Sequence, residues 1–200
     1  MDAILEPIRL AAPAELGRNN DWLFNFCRMN PELRIERRAD GEVLIMSPES
    51  ASSGSGSLRL GRLFDEWAER DGTGRVFGSS AGFILPNGAM RSPDLAWVSN
   101  DRLADVAKKH WKKFLPVCPD FVLELRSPSD RMRTLKEKMD EYIANGARLG
   151  WLIDPDAKEV HIFEAGQSVK VLKNPTTVSG EPVLAKFKLE MRRVWAAMEP

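Results

Sequence analysis

The chain has 200 residues, 43% of them hydrophobic, with six Trp and nine Phe; that is enough for one sizeable core and too little to expect two. Lys plus Arg and Asp plus Glu number 29 each, so the global field is near zero and any nucleic-acid contact must come from a local basic face. This balance counts against a tight non-specific DNA binder, but not against an enzyme that meets DNA through one groove. Cys27 and Cys118 lie far apart with no metal-type spacing and read as reduced thiols. The opening "MDAILEPIRL" carries two acids and lacks the basic start and apolar core of a signal peptide. No stretch approaches the roughly 18 apolar residues of a membrane span. The expectation is a soluble, cytoplasmic chain with no membrane partner.

In chain order, "DWLFNFCRMN" reads as a helix stopped by Pro31. "EVLIM" at 42–46 reads as a strand, and the Ser/Gly/Pro stretch "SPESASSGSGS" at 47–57 as a loop. In "LRLGRLFDEWAER", Leu60, Leu63, Phe64 and Trp67 fall on one apolar helical face. "RVFGSS" and "GFILPNGAMRSPDLAWV" are extended, with "PNG" at 86–88 turning a hairpin back into "DLAWV". The polar segment 99–117 holds "KKHWKKF", an exposed basic loop or, as the functional alternative, a DNA contact. "FVLEL" at 121–125 reads as a strand buried on both faces. A helix follows from about Asp130 to Ala144, with Ser129 or Asp130 as its cap. "GWLIDPDAKEVHIFE" gives two strands joined at "DPDA", and "KLEMRRVWAAM" a closing helix or extended segment. The predicted fold class is α/β, a central mixed sheet flanked by helices. It forms a single domain over 1–200, with an N-terminal helical segment at about 13–30 and a core at about 31–195.

Glu124 is the anomaly in this reading. An ionised carboxylate in a strand buried on both faces loses several kcal/mol or so of hydration unless something compensates. Strand alternation puts Glu124 with Val122 and Arg126, and Phe121, Leu123 and Leu125 on the other face. Asp94, directly after Pro93, opens another apolar strand. Two acids on neighbouring core strands that converge on one point repel, and a hard cation such as Mg2+ is the usual remedy. Such an ion suits phosphate chemistry. Candidate cations stand nearby: Arg126 on the face of Glu124, and Lys138 in the stripe Leu135, Lys138, Tyr142 of the next helix. Bland alternatives stay open for each: Glu124 as a buried salt bridge to Arg126, Asp94 as a turn cap, Lys138 as a surface lysine. His110 and His161 have no neighbouring ligand pattern and receive no role.

"PD" at 93–94 followed by "E-L-R" at 124–126 resembles the PD-(D/E)XK nuclease signature. The blocks "GEVLIMSPES", "GFILPNGAMRSPDLAWVS", "CPDFVLELRSPSD", "LKEKMDEYIANGARLGWLIDPDAKEVHIF" and "LKNPTTVSGEPVL" narrow this further. Together they resemble the Uma-type (Uma2-like) restriction endonuclease family, a bacterial group, over about residues 30–195. The resemblance implies a restriction-endonuclease-like core that hydrolyses phosphodiester bonds of DNA with Mg2+ or Mn2+. By position, Asp94 and Glu124 would bind the metal, with the main-chain carbonyl of Leu125 as a further ligand. The lysine of the signature has moved to the helix as Lys138, which would orient or deprotonate the attacking water. Arg126 stands at the usual lysine position and cannot accept a proton; with Arg91 it would hold phosphate. Glu42 matches a further acidic position of the family. Many members carry a histidine after the Ser/Pro loop, where this chain reads "SASSGSGS", so no role of that histidine transfers. Duplex cutting by a single-site enzyme implies a two-fold homodimer. The alternatives are a catalytically silent nuclease fold that binds nucleic acid or protein, and a phosphodiesterase on a non-DNA substrate.

Overall fold

A computed structural model of the chain describes residues 8–10 and 18–199. The start of the expected N-terminal helical segment, 13–17, lies outside the described residues, as does most of "MDAILEPIRL". The elements are β1 (Ile8–Leu10), α1 (Asn20–Met29), β2 (Arg34–Arg37), β3 (Val43–Met46), α2 (Ala51–Asp71), β4 (Gly74–Gly78), β5 (Phe83–Ile84), β6 (Met90–Arg91) and β7 (Leu95–Ser99). They continue with α3 (Asn100–Ala104), a 3-10 turn at Lys108–Lys112, β8 (Phe121–Leu125), α4 (Met132–Ala144), β9 (Leu149–Asp154), β10 (Glu159–Glu164), β11 (Lys170–Lys173), β12 (Thr177–Ser179), β13 (Lys188–Glu190) and α5 (Met191–Met198).

The central sheet has the order β11-β10-β9-β8-β7-β4 and is mixed. Its one parallel pairing, β8 with β9, exists because α4 carries the chain back across the sheet between them. The alternation read in "FVLEL" is real. Phe121, Leu123 and Leu125 pack with α2 and α5 on one face, while Val122 packs with Met139 and Tyr142 of α4 on the other. The expected stripe Leu60, Leu63, Phe64 and Trp67 lies in the first of these cores.

A second, antiparallel sheet, β1-β3-β2-β6-β5, was not foreseen. At its centre is the hairpin β2–β3, whose turn residue Gly41 has φ 96°. The "DG" at 40–41 is a hairpin signal of the ordinary kind, and it leaves "RIER" as a strand. The "PNG" hairpin also closes differently from expectation. It joins β5 to β6, and the chain then leaves this sheet at Ser92-Pro93 and enters the central one as β7. Proline at 93 removes a ladder donor at the point where pairing has to stop.

The largest correction concerns "SPESASSGSGS", of which only residues 47–50 are loop. Residues 51–57 form the first turns of α2. Ser50 is the N-cap and its side chain accepts from the Ser53 amide at 3.2 Å. Packing decides the outcome: Ser53 and Gly56 continue the buried stripe of α2, and a Cβ at Gly56 would sit 2.8 Å from Met198 Cγ and 3.1 Å from Leu125 Cδ2. The small residues let α2 approach α5 and β8 closely, which outweighs their poor helix propensity. Gly61, by contrast, has nothing within 4 Å of that position. Gly61→Ala is therefore expected to raise stability by about 0.5–1 kcal/mol, and Gly56→Val to lower it by about 1–3 kcal/mol. Urea unfolding of the two variants beside the parent separates these signs.

Candidate active site

The site forms where the chain crosses between the sheets. In the central sheet Leu95 of β7 pairs with Leu123 of β8, and one step further along that register sets Asp94 directly opposite Glu124. Like charges in such a cross-strand position are unfavourable by themselves. Asp94 Oδ2 accepts from the Leu125 amide at 2.8 Å, and its Oδ1 accepts from Arg34 Nη2 at 2.7 Å. In a strand, a residue's carbonyl points to the same side as its amide, so the Leu125 carbonyl faces the Asp94 side too.

Lys138 comes from α4. Among the described residues of that helix, Lys138, Met139 and Tyr142 are buried against the sheet, so Lys138 is no surface lysine. Its Nζ lies 2.8 Å from Glu124 Oε1 and 2.9 Å from Glu36 Oε1. Tyr142, one turn on, donates its hydroxyl to the same Glu124 Oε1 at 3.2 Å. Glu36 on β2 is fully engaged: its Oε1 also accepts from the Ser92 amide at 3.0 Å, and its Oε2 pairs with Arg91 Nη1 at 3.0 Å. Arg91 is fixed again by Glu141 Oε2 at 2.6 Å. Glu124 Oε2, among the described residues, receives no hydrogen bond.

These side chains line a cavity of about 400 Å³ between β2 and β6 of the second sheet and β8 and α4 of the central layer. At its floor Glu36, Asp94, Glu124 and Glu141 face Arg34, Arg91 and Lys138, so acid exceeds cation among the described residues. The charges divide unevenly. Burial raises Glu36, but Lys138 and Arg91 outweigh it and hold the carboxyl down at about 2. Glu124 is left as the surplus acid. Burial pushes it up to about 8, Lys138 offsets only part, and Asp94 and Glu36 push the same way as burial. Burial also raises Asp94, against Arg34 and Lys138. Lys138 loses to burial but gains more from Glu124 and Glu36, so it is held charged. Both members of the Glu124–Lys138 pair thus hold a proton more firmly than usual: burial outweighs the lysine at Glu124, while Glu124 and Glu36 together outweigh burial at Lys138.

The predicted residues divide between those the fold assembles and those it does not. Asp94, Glu124, Leu125, Lys138 and Arg91 all line the cavity. Arg126 does not: both oxygens of Asp154 lie 2.9–3.0 Å from its Nη1. The alternative pairing of Glu124 with Arg126 is therefore absent, and Lys138 takes that place. Glu42 is not a lining residue; it pairs at 3.7 and 3.8 Å with Arg9 and Arg38, which do line the cavity. Neither Ser129 nor Asp130 caps α4; Asp130 accepts from the Ser127 amide and hydroxyl instead, and the cap residue is Arg131. The sequence reading missed Arg34 and Glu36 altogether. Their signal was the alternation of "RIER" before a "DG" turn, which sets both on one strand face.

The donor set can be tested against a divalent ion. Among the described residues no three His, Cys, Asp or Glu side chains converge as metal ligands. Mg2+, however, is commonly held by one or two carboxylates with water filling its shell. The pair Asp94 and Glu124, the Glu124 oxygen without a donor and the shortage of positive charge all fit such an ion. They are hard oxygen ligands, not the soft ligands that select zinc.

The profile of the Uma2 family, described as "putative restriction endonuclease", matches residues 21–192. The chain belongs to the Uma2 family. That family membership supports a nuclease function. A solved structure of similar fold is a "putative nuclease belonging to DUF820" from Anabaena variabilis. The TM-score is 0.71 at 15% identity, covering 82% of this chain and 91% of that one. At that identity the likeness is one of fold, and it agrees with the restriction-endonuclease-like core expected for Uma2 proteins. Among curated proteins no sequence matches the chain. No helix of the described residues is long and apolar enough to cross a membrane.

Proposed function

We propose that this Uma2 protein is a DNA endonuclease that hydrolyses phosphodiester bonds with a divalent ion, Mg2+ or Mn2+, held by Asp94, Glu124 and the main-chain carbonyl of Leu125. The observation that supports it best is the cross-strand placement of Asp94 against Glu124 in a cavity short of positive charge. When bound, the ion would supply Lewis-acid polarisation of the phosphate and a more acidic water.

The chain's own residues supply the remainder. Lys138, held charged between Glu36 and Glu124, cannot accept a proton at neutral pH; its part is to orient the attacking water and to oppose negative charge developing on the phosphate. Glu36, itself held by the Ser92 amide and Arg91, fixes Lys138. Arg91 and Arg34, not Arg126, stand in the cavity to meet a phosphate oxygen. Cutting both strands of a duplex favours a two-fold homodimer that presents two such cavities.

Supercoiled-plasmid nicking with Mg2+ or Mn2+ tests the reading. Wild type is expected to nick, while Asp94→Asn and Glu124→Gln lose at least about 100-fold, the scale of removing one preorganised transition-state contact. Equal trace activity in all three proteins would sink it. A second reading, a silent nuclease fold that binds nucleic acid or protein, draws on a specific feature. Both oxygens of Asp94 already carry partners, and Arg126 replaces the signature lysine. Metal-free DNA binding without any metal uptake would favour it.

A further inference from the structure

The saturation of Asp94 by Arg34 has a second meaning if the metal reading above holds, and the inference rests on that reading. Arg34 forks between two acids. Its Nη2 bonds Asp94 Oδ1 at 2.7 Å and its Nη1 bonds Glu49 Oε1 at 2.5 Å. The two acids differ in depth: the Asp94 side chain is 12% exposed and that of Glu49 27%. Glu49 stands just before the Ser50 cap of α2 and is steadied by the Ser57 hydroxyl on its Oε2 at 3.2 Å. Arg34 shares the inward face of β2 with Glu36, and both line the cavity. Because the Leu125 amide occupies Asp94 Oδ2, Oδ1 is the oxygen a cation would reach, and the guanidinium is on it. An arginine cannot be discharged to clear the way; it has to move.

We propose that Arg34 is a place-holding cation. It neutralises Asp94 in the metal-free chain and yields Oδ1 to a divalent ion, while Glu49 retains it at the cavity mouth. The fork suits an arginine: two separate nitrogens reach two acids at different depths, whereas an ammonium, as at Lys138, bonds two acids only where both come to one nitrogen. It also gives a physical reason for a pair of opposed core acids to survive folding without metal: Asp94 has Arg34 as its partner and Glu124 has Lys138.

Isothermal calorimetry of Mn2+ binding to the full chain tests this. Arg34→Gln is expected to bind Mn2+ about tenfold tighter than wild type, the scale of losing one competing charge-assisted hydrogen bond. Glu49→Gln is expected to bind several-fold weaker, because Arg34 then has Asp94 alone. In the Arg34→Gln background the same Glu49→Gln change should have no effect. A simple field effect of the rim acid would persist in both backgrounds, so that outcome overturns the two-acid fork. Equal or weaker Mn2+ binding by folded Arg34→Gln overturns the place-holding role. If Arg34→Gln does not fold, Arg34→Lys is read instead, with a tightening of about threefold expected, because it keeps the charge and loses the fork. Should neither wild type nor any Arg34 variant bind Mn2+, the metal reading fails, which is distinguishable from failure of the place-holder. Binding by Arg34→Gln where wild type shows none supports both.

Discussion

Lys138→Met is expected to lower stability by about 3–5 kcal/mol, the scale of stripping one partner from a buried ionic cluster. For a chain of this size that corresponds to a fall of roughly 10 °C in Tm. The reason is geometric. Among the described residues Lys138 is the one group within 3 Å of both Glu36 and Glu124, at 2.9 and 2.8 Å. Without it, among the described residues, Glu36 keeps Arg91 and the Ser92 amide, and Glu124 keeps the Tyr142 hydroxyl. Adding Glu36→Gln to Lys138→Met is expected to recover a large part of the loss, since the surplus buried charge is then removed. Thermal melts of the parent, the single and the double variant give the answer, and a Lys138→Met protein as stable as the parent would refute the buried position of the ammonium. A consequence follows for enzymology. Loss of nicking in a Lys138 variant cannot be read as lost chemistry until its folding is measured, whereas Asp94→Asn and Glu124→Gln leave the Lys138–Glu36 pair in place.

The second large effect is on pH. Glu124 has its carboxyl raised to about 8 by burial, with Lys138 opposing and Asp94 and Glu36 assisting. Its ordinary value is 4.5. A group raised in the folded state contributes stability that is fully present below its unfolded value and lost as pH rises through its folded one. The metal-free protein is therefore expected to become less stable between about pH 4.5 and pH 8. Glu36, held near 2 against burial by Lys138 and Arg91, acts in the opposite sense: its contribution is present above 4.5 and lost as pH falls toward 2. Urea midpoints at pH 5.5 and pH 9 test the sum, with the higher midpoint expected at pH 5.5. Glu124→Gln should flatten this dependence above pH 5. On the proposed function, uptake of Mn2+ at pH 7 should release about one proton and strengthen about tenfold per pH unit up to about 8. Calorimetry in two buffers of different ionisation enthalpy measures that proton directly, and a value of zero would show that Glu124 is already ionised without metal.

What the sequence determined by itself was the core of the central sheet and the acids it carries. The unbroken apolar run of "FVLEL" with one carboxylate inside it, and "PD" at the start of another apolar strand, are local signals that survive any packing. A buried strand position is set by alternation, and an acid there is costly wherever the strand ends up. The helical stripe of Leu60, Leu63, Phe64 and Trp67 was legible for the same reason, as was the family resemblance that Uma2 membership bears out.

Only the tertiary structure decided which cations meet those acids. Arg126 is two residues from Glu124, yet it leaves β8 and turns to Asp154, because β9 runs parallel beside β8 and brings that acid alongside. Arg34 lies 60 residues before its partner Asp94 and Glu36 102 residues before its partner Lys138, and no spacing rule links them. They arrive through a second sheet whose short strands carry little periodicity of their own. The Ser/Gly run at 51–57 is the same lesson in the backbone. Its composition favours a loop, but small side chains are what a helix needs when it must pass within contact of Met198 and Leu125. Local propensity is worth a few tenths to about 1 kcal/mol per residue, and close packing of a buried face is worth more. The chemistry of the acids was written locally; their counter-charges were fixed by which strands the fold lays side by side.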